Sequence, residues 1–503
     1  MKPRLYLLLA ASVLLLAGCA AGPDYQRPAL ALPTRYTADD QQLAGRLQLQ
    51  QQIRQNWWHV FGSPELDALI EQAWQHNAGI ASAQANLRAA QENVAAQQGY
   101  FYPTVQLGYS PSRTKLAGNQ GGNSPGVQGN GSVISTTQNT PASQGGTAPY
   151  NAPVIYNFHT AQLSVAYTPD VFGASRRQLE SVQAQQEYQR YQLQAAYLTL
   201  ASNLVAAAIQ DGLLRELLEL DQQIVAAAQR TLALVQRQHQ AGYASALELA
   251  SARNALAQTQ QALPPLRRQL EQNRDLLRLL TGLSVEQELP AFRLASFRLP
   301  QQLPLALPSQ LLEQRPDIRA AEAQLKAASA QVGVARAARL PQFTMSANAG
   351  GAASEFGQMF WNSGQFFALG ASITQTLFDG ATLQHRERAA EASLQAAAAD
   401  YRTAVATALQ NVADVLHAID SDVAAVQSAT DAASAAQATL QLCQRQHAAG
   451  ALDQTALLLA QQNQWQSQQQ LAQARASQLG NAAALYQALG GSWQSPQRSK
   501  EQP

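Results

Sequence analysis

Two long segments of the chain space their apolar residues by three and four positions, over residues 200–235 and 408–443. Three aspartates interrupt this pattern, namely Asp211, Asp221 and Asp422. Sustained three-four spacing predicts α-helices that pack side by side in a coiled coil, and the many alanines at contact positions allow close approach. Because no proline occurs between residues 174 and 240, that helix is expected to be roughly 100 Å long at about 1.5 Å per residue. Such a length indicates a protein that spans a distance.

Each predicted helix ends in a similar phrase, QRQHQAGYASALELA from position 236 and QRQHAAGALDQTALLLA from position 444. Gly242 and Gly450 take the position just past a helix end, where a positive φ costs glycine least. Arg237 and Arg445 lie in the last turn, where a cation faces the negative end of the helix dipole. Each phrase therefore predicts the turn of a helical hairpin.

The residues after each glycine predict how the return helices begin. Ser245 and Glu248 match the S-x-x-E capping box, and Asp453 is placed to cap the second return helix. Pro264 and Pro265 are expected to interrupt the first return helix, because proline removes a backbone hydrogen bond and clashes with the preceding turn.

Three kinds of residue near these helices have two interpretations each. Each phrase contains a histidine, His239 in the first and His447 in the second. These histidines either cap the helix ends or form a metal or pH-sensing site shared between copies of the chain. Cys443 is either a packed apolar residue or a reactive thiol. Trp57 and Trp58 either pack together or anchor at a membrane interface.

Four short segments between the helices alternate apolar residues with small or polar ones, near 101–110, 158–168, 342–350 and 365–377. This alternation is typical of membrane barrel strands, apolar toward lipid and polar toward the lumen, and also fits a soluble hairpin. Four strands cannot close a membrane barrel, and lipid does not tolerate an open edge. We therefore predict that three protomers share one barrel of twelve strands, continued by a barrel of coiled-coil helices.

The alternating segments belong to an internal duplication. Pro103 corresponds to Pro341, and Gly173 corresponds to Gly380. The first copy carries an insertion between these anchors, rich in Gly, Ser, Asn, Thr and Gln. Such a segment buries too little apolar surface to order itself, so residues 111–157 are expected to form a flexible loop.

The first residues form a targeting segment. Lys2 and Arg4 precede an apolar run that is short for a membrane-spanning helix, and the run ends at Cys19. The sequence LAGC resembles a bacterial lipobox, in which the cysteine is lipidated and becomes the first residue once the signal peptide, here residues 1–18, is removed; a plain signal peptide is the alternative. Ala20 and Ala21 directly follow Cys19 where an aspartate would favour retention in the inner membrane, so the outer membrane is the expected location.

Composition excludes several function classes. Only 13% of the residues are charged and the formal net charge is +1, so no basic surface is predicted to attract nucleic acid. The chain has no phosphate-binding loop, no dinucleotide-binding glycine pattern and no H-E-x-x-H motif. We therefore predict no enzyme activity, no cofactor and no metal.

Several motifs, in order, resemble the outer membrane factor family, in particular its NodT-type efflux lipoproteins. They are GPDYQRP, WWHVFGSPELDALI, YTPDVFG, RPDIRAAEAQL and the paired R-x4-G turns, and they cover nearly the whole mature chain. The resemblance implies a homotrimeric channel with an equatorial belt, a passive exit duct for drugs or small molecules. It also implies two partners, a periplasmic adaptor and an inner-membrane pump of the resistance-nodulation-division type.

The resemblance also implies a periplasmic gate at the hairpin tips, often acidic. Glu248 falls at the family's acidic position, whereas Ala456 and Leu459 occupy the acidic positions of the second tip. Asp453 lies nearby at a different helical phase. We therefore expect a gate with fewer acidic groups, in which Glu248 either gates or only caps its helix.

The expected domain division follows the duplication. It comprises a signal peptide at 1–18, a lipid-anchored extension at 19–62, a first repeat at 63–282, an equatorial linker at 283–308, a second repeat at 309–490 and a tail at 491–503, with tips near 237–248 and 445–456. A periplasmic adaptor would have one hairpin and no barrel strands, which disfavours that class. A type I protein-secretion channel uses the same scaffold and remains the alternative.

Overall fold

The computed structural model describes residues 20–33, 35–37, 47–49, 56–116, 124–127, 133–136, 154–300 and 302–491. The described residues divide into two compact units. The first unit comprises those within Met1–Gln26, Gln91–Ala184 and Lys326–Gln395, and the second those within Arg27–Ala90, Gln185–Leu325 and Ala396–Pro503.

Eight helices and eight strands are described. The helices are α1 (Pro64–His76), α2 (Ala78–Gly99), α3 (Ala174–Gln240), α4 (Ala246–Thr281), α5 (Pro308–Gln314), α6 (Pro316–Ala337), α7 (Thr382–Ala448) and α8 (Gln454–Ala488). The strands are β1 (Leu47–Leu49), β2 (Thr104–Leu116), β3 (Ser124–Val127), β4 (Val133–Thr136), β5 (Val154–Tyr167), β6 (Leu303–Leu305), β7 (Gln342–Ala353) and β8 (Gln365–Thr374).

The first unit contains a four-stranded antiparallel sheet with the strand order β2-β5-β7-β8. Its register places apolar residues opposite one another, such as Leu107 with Leu163 and Ala347 with Leu369. Paired residues share a face of the sheet, so one face is mainly apolar and the other mainly polar. On the polar face, Thr344 Oγ1 and Ser372 Oγ lie 2.7 Å apart.

The apolar face is exposed in the single chain. Leu107 is 83% exposed, and Phe367 is 80% exposed. A soluble hairpin would cover such side chains, because large contiguous apolar patches mark a surface that contacts another protein or a membrane. The sheet therefore requires a partner surface or lipid on this face.

Strand ends differ from those expected from the sequence. β2 and β5 pair through residues 111–116 and 154–157, which were expected to belong to the loop. β8 ends at Thr374, three residues earlier than 377. Inside the expected loop, β3 and β4 form a short antiparallel pair. Cross-strand pairing, which is not visible in a single segment, sets these boundaries.

The two long helices, α3 and α7, each contain 67 residues. The prediction of a helix over residues 174–240 is confirmed. In the second unit, the apolar face of α3 buries Leu204, Val205 and Ala208. On α7, Val412 and Leu416 are fully buried. The three-four spacing thus identifies the face of each helix that packs.

The aspartates that interrupt the apolar pattern bind neighbouring segments. Asp211, fully buried, accepts hydrogen bonds from Arg215 and from the backbone N–H of Phe292. Asp422 accepts from Ser477 Oγ at 2.8 Å and from Asn481 Nδ2 at 2.6 Å. A buried carboxylate is tolerated only when it is hydrogen-bonded, so these residues fix which segments pack together.

Helix α4 is continuous from Ala246 to Thr281, with Pro264 and Pro265 inside it. The expected interruption was wrong. Both prolines are exposed in the single chain, so the carbonyls that lose their N–H partners one turn earlier are close to solvent. The helix ends at Gly282, whose φ is 70°.

Trp57 and Trp58 lie in a buried aromatic cluster of the second unit. Trp57 stacks on Tyr486 with ring centroids 5.2 Å apart, and Trp58 meets Trp74 edge to face at 5.0 Å. The packing interpretation of this pair is confirmed. Of the helices in the described part of the chain, none is long and apolar enough to cross a membrane.

Candidate functional site

The first hairpin tip is closed by a glycine and a histidine. Gly242 has a φ of 79°, and a Cβ on it would meet no atom within 4 Å. Nδ1 of His239 lies 2.8 Å from the carbonyl oxygen of Ala244, across the turn. Arg237 donates from Nε to the carbonyl of Ala233 within the helix. The N–H of Gly242 donates to the carbonyl of His239, one of the carbonyls that the helix end would otherwise leave without a partner.

The second tip repeats this construction. Gly450 has a φ of 71°, and Nδ1 of His447 lies 2.9 Å from the carbonyl oxygen of Leu452. Both histidines thus bond within their own turn, as the capping interpretation predicts. Cys443 packs against a buried cluster that includes Leu440 and Leu457, as expected for an apolar residue.

The capping box predicted at the first return helix is confirmed. The backbone N–H of Ser245 donates to the Glu248 carboxylate at 2.5 Å, and the Glu248 N–H donates to Ser245 Oγ at 3.2 Å. The backbone hydrogen bond from Ser245, more than any other interaction, lowers the pKa of Glu248, whose side chain is fully exposed. This carboxylate therefore stays charged below the ordinary pH range of glutamate titration.

The second return helix begins with a single cap. Asp453 Oδ1 accepts from the Ala456 N–H at 3.0 Å. Leu459, at the other position where the family often carries an acid, is 55% exposed. The two tips therefore share a backbone turn and carry one capping carboxylate each, Glu248 at the third residue of its helix and Asp453 at the N-cap position.

Cys19 lies outside the described residues, and the residues that follow it are held in place in the first unit. The Ala21 N–H donates to the Phe172 carbonyl at 2.9 Å. Arg177 donates to the carbonyl of Ala21 and to Asp24, the latter at 2.7 Å. Its hydrogen bonds to Asp24 and Glu180 outweigh burial and raise the pKa of Arg177.

A close backbone contact adds to this attachment. A Cβ on Gly22 would lie 2.4 Å from Cα of Gly333, on α6. Both positions therefore require glycine. The motif GPDYQRP carries this segment, but sequence reasoning did not identify Arg177 or Gly333 as its partners, since they lie far along the chain.

In the second unit, Arg27 of GPDYQRP pairs with Glu322 of RPDIRAAEAQL. Arg27 Nε and Nη2 donate to the two carboxylate oxygens at 3.1 and 2.6 Å. Arg319 of the same motif donates to Tyr191 Oη at 2.7 Å. Arg315 donates to the Ala488 carbonyl at 2.6 Å. The charged residues of the two motifs thus hold distant segments together.

No group of three or more potential metal ligands occurs in the part of the chain that the structure describes. The hairpin histidines bond to turn carbonyls instead. At the tips, Gly242 and Gly450 have a positive φ, and Glu248 and Asp453 are exposed carboxylates.

A sheet with one exposed apolar face, together with two long helices and two hairpins, agrees with the channel that the sequence resemblance implies. The profile of the family described as outer membrane efflux protein matches residues 69–283 and 307–491. The chain belongs to this family.

Relatives and solved structures agree with this assignment. The pyoverdine export outer membrane protein OpmQ of Pseudomonas putida is 33% identical over 442 residues, covering 88% of each chain. The toluene efflux pump outer membrane protein TtgI, also of Pseudomonas putida, is 27% identical, covering 96% of this chain and 97% of its own. The outer-membrane channel OprN superposes with a TM-score of 0.80 at 27% identity, over 94% of this chain and 100% of its own. The Campylobacter jejuni CmeC channel has the same fold, with a TM-score of 0.81 at 19% identity, over 95% of this chain and 96% of its own.

Proposed function

We propose that the protein is the trimeric outer membrane exit duct of a tripartite efflux system. The observation that carries this proposal is the sheet of the first unit, which exposes one apolar face and ends in two unpaired edges in the single chain, β2 and β8. Unpaired backbone groups are not tolerated in lipid. Three copies joined edge to edge would close a barrel of twelve strands and remove every edge.

The long helices extend the duct on the periplasmic side. Each of the two has 67 residues, about 100 Å at a rise of about 1.5 Å. Repeats at 63–282 and 309–490, with an equatorial linker at 283–308, are part of this proposal, and the separate matches of the family profile to two segments support them. The hairpin tips would meet a periplasmic adaptor, which connects the duct to a pump in the inner membrane.

Small molecules are the cargo we propose. The names of relatives include pyoverdine export, solvent efflux and toluene efflux. These names favour small-molecule export over protein secretion. We infer that the pump, a different chain, selects the substrate.

Conductance of the purified protein tests the proposal. The full mature chain should migrate as a trimer and form stable ion-conducting channels in planar bilayers. A strain lacking the gene should accumulate toxic pump substrates and recover when the gene is restored. A monomer that never conducts, under conditions where a known family channel does, would contradict the proposal.

We also propose that Cys19 carries the lipid anchor. Wild-type protein should incorporate labelled palmitate, and Cys19→Ala should lose the label. Cys443→Ala is the matched control and should keep it, because its thiol packs within the second hairpin. Equal labelling of wild type and Cys19→Ala would show that the anchor lies elsewhere.

Glu248 is proposed to contribute to the gate. Threefold symmetry would bring three exposed carboxylates around the channel axis, attracting cations and repelling anions. Glu248→Gln keeps a side-chain acceptor for the Ser245 N–H but removes the charge. We expect a several-fold decrease in cation over anion permeability, with the trimer intact.

The low pKa of Glu248 sets the pH dependence of this effect. Wild-type selectivity should stay constant from neutral pH through the ordinary glutamate pKa of about 4.3, and fall only below it. Reversal potentials across a salt gradient measure both effects. Glu286→Gln, an exposed acid away from the tips in sequence, is the control. Unchanged selectivity in Glu248→Gln would assign this residue to the helix cap alone.

A further inference from the structure

Arg113 and Lys115 are the only fully charged residues in the four strands β2, β5, β7 and β8. They alternate with Ser112 and Thr114 along β2, and they pair with Asn157 and Ile155 of β5. Strand alternation places them on the same face as Leu107, the apolar face. Both side chains are exposed. A charge on a lipid-facing surface is costly near the bilayer midplane and tolerated only near its edge.

Strand geometry places the two cations at that edge. Arg113 follows Thr104 by nine residues, roughly 31 Å of strand at about 3.4 Å per residue. For a tilt of about 40°, this corresponds to a height of roughly 23 Å, close to the apolar band of about 25 Å in outer-membrane barrels. Thr104 follows the helix α2, and Arg113 lies toward the opposite end of the strand, which faces the cell exterior in the proposed barrel.

An aromatic cluster lies next to these cations along the strands. Tyr109 Oη lies 2.9 Å from His159 Nδ1, and the two rings stack. Phe356, in the β7–β8 connection, meets both rings edge to face, and Phe360 packs on Phe356. Aromatic side chains of this kind form girdles at the membrane interface. The cluster therefore places the membrane interface close to Arg113, on the side of the strand nearer Thr104.

We propose that Arg113 and Lys115 bind the phosphate groups of the phosphorylated glycolipid in the outer leaflet. This inference rests on the proposed barrel. The acyl chains would lie on the apolar face around Leu107, and the phosphates would meet the two cations where that face ends. A guanidinium binds phosphate through paired N–H groups, and an ammonium adds a compact charge.

The charges around the site favour an anionic occupant. The four strands contain no Asp or Glu. The connection between β7 and β8 contains one acid, Glu355, which accepts from Gln358 Nε2 at 3.0 Å. A protein partner would not need an adjoining apolar face at lipid depth, whereas a lipid needs both the apolar face and the cations.

The test compares two forms of one lipid on the full trimer in detergent. The probes are bisphosphorylated lipid A and lipid A without phosphates, and native mass spectrometry measures the bound lipid. An anionic headgroup gains about five-fold in affinity for each nearby Lys or Arg, so wild type should prefer the phosphorylated form by about thirty-fold. Arg113→Gln/Lys115→Gln should lose most of this preference.

Two further variants make the result specific. Arg113→Lys/Lys115→Arg keeps both charges and should keep most of the preference. Arg267→Gln/Arg268→Gln removes two exposed charges from α4 and should leave the preference unchanged. A wild type that binds both lipids equally, or a double Gln variant that keeps the full preference, would overturn the proposal.

Conductance separates this inference from the proposed function. A trimer that conducts in planar bilayers but shows no phosphate preference would refute the lipid site and leave the channel intact. Failure to form a conducting trimer would instead remove the barrel on which the lipid site depends.

Discussion

Arg27→Met is expected to destabilise the proposed trimer by about 3–5 kcal/mol, because it removes the bidentate partner of a buried carboxylate. The side chain of Glu322 is only 8% exposed, whereas that of Arg27 is 37% exposed. The reverse change, Glu322→Gln, should cost less, about 2–3 kcal/mol, because Arg27 can turn toward water. The asymmetry between these two variants is the signature of the buried pair.

The measurement is the temperature at which the proposed trimer dissociates on a gel. The double variant Arg27→Met/Glu322→Met should recover part of the loss, since an apolar pair of similar size leaves no buried charge. Arg402→Met, at an exposed position of α7, is the control and should change little. Equal losses in the two single variants would contradict this account of the pair.

Trp57→Ala should cost about 3–5 kcal/mol, the usual loss for a large aromatic side chain in a core. Trp57 is 2% exposed and contacts Tyr486, Trp58 and Phe61. Truncation would leave a cavity where the 3-10 turn of Trp57–Phe61 meets α8. The trimer should be recovered in low yield and should lose its heat resistance.

Trp361→Ala provides the matched control. Trp361 is 56% exposed in the single chain, so its truncation removes much less packing. Both variants are compared by dissociation temperature and by yield from the membrane fraction. Equal decreases in dissociation temperature at the two positions would show that burial of the tryptophan side chain does not determine the loss of stability.

Local signals predicted the helical part of this fold well. The spacing of apolar residues and the position of Gly242 defined the end of α3, because helix packing and capping depend on residues within a few turns. The same reasoning failed at Pro264, where an exposed helix surface lets solvent approach the carbonyls that proline leaves without partners. Local rules describe a proline's tendency, and the surroundings decide its effect.

Contacts between distant segments were beyond such signals. The extension of β2 to Leu116 is decided by its pairing with β5 across the long insertion. Polar and charged residues such as Arg113 made that stretch resemble a loop. Arg27 and Glu322 are 295 residues apart, and nothing in the sequence of either motif predicts that the two residues pair. Sequence identified the motifs, and only the fold shows which of them meet.

The polar face of the sheet carries Gln, Asn, Ser and Thr side chains, with Phe158 and Phe366 among them, and no fixed charge. In the proposed barrel this face would line the passage, where its hydroxyl and amide groups hold a film of water. Cargo, whether cationic, anionic or neutral, would pass this hydrated surface without meeting a charged side chain that binds it. The β-barrel part of the duct would then let cargo of any charge pass, and selection of cargo would take place before the cargo reaches the strands.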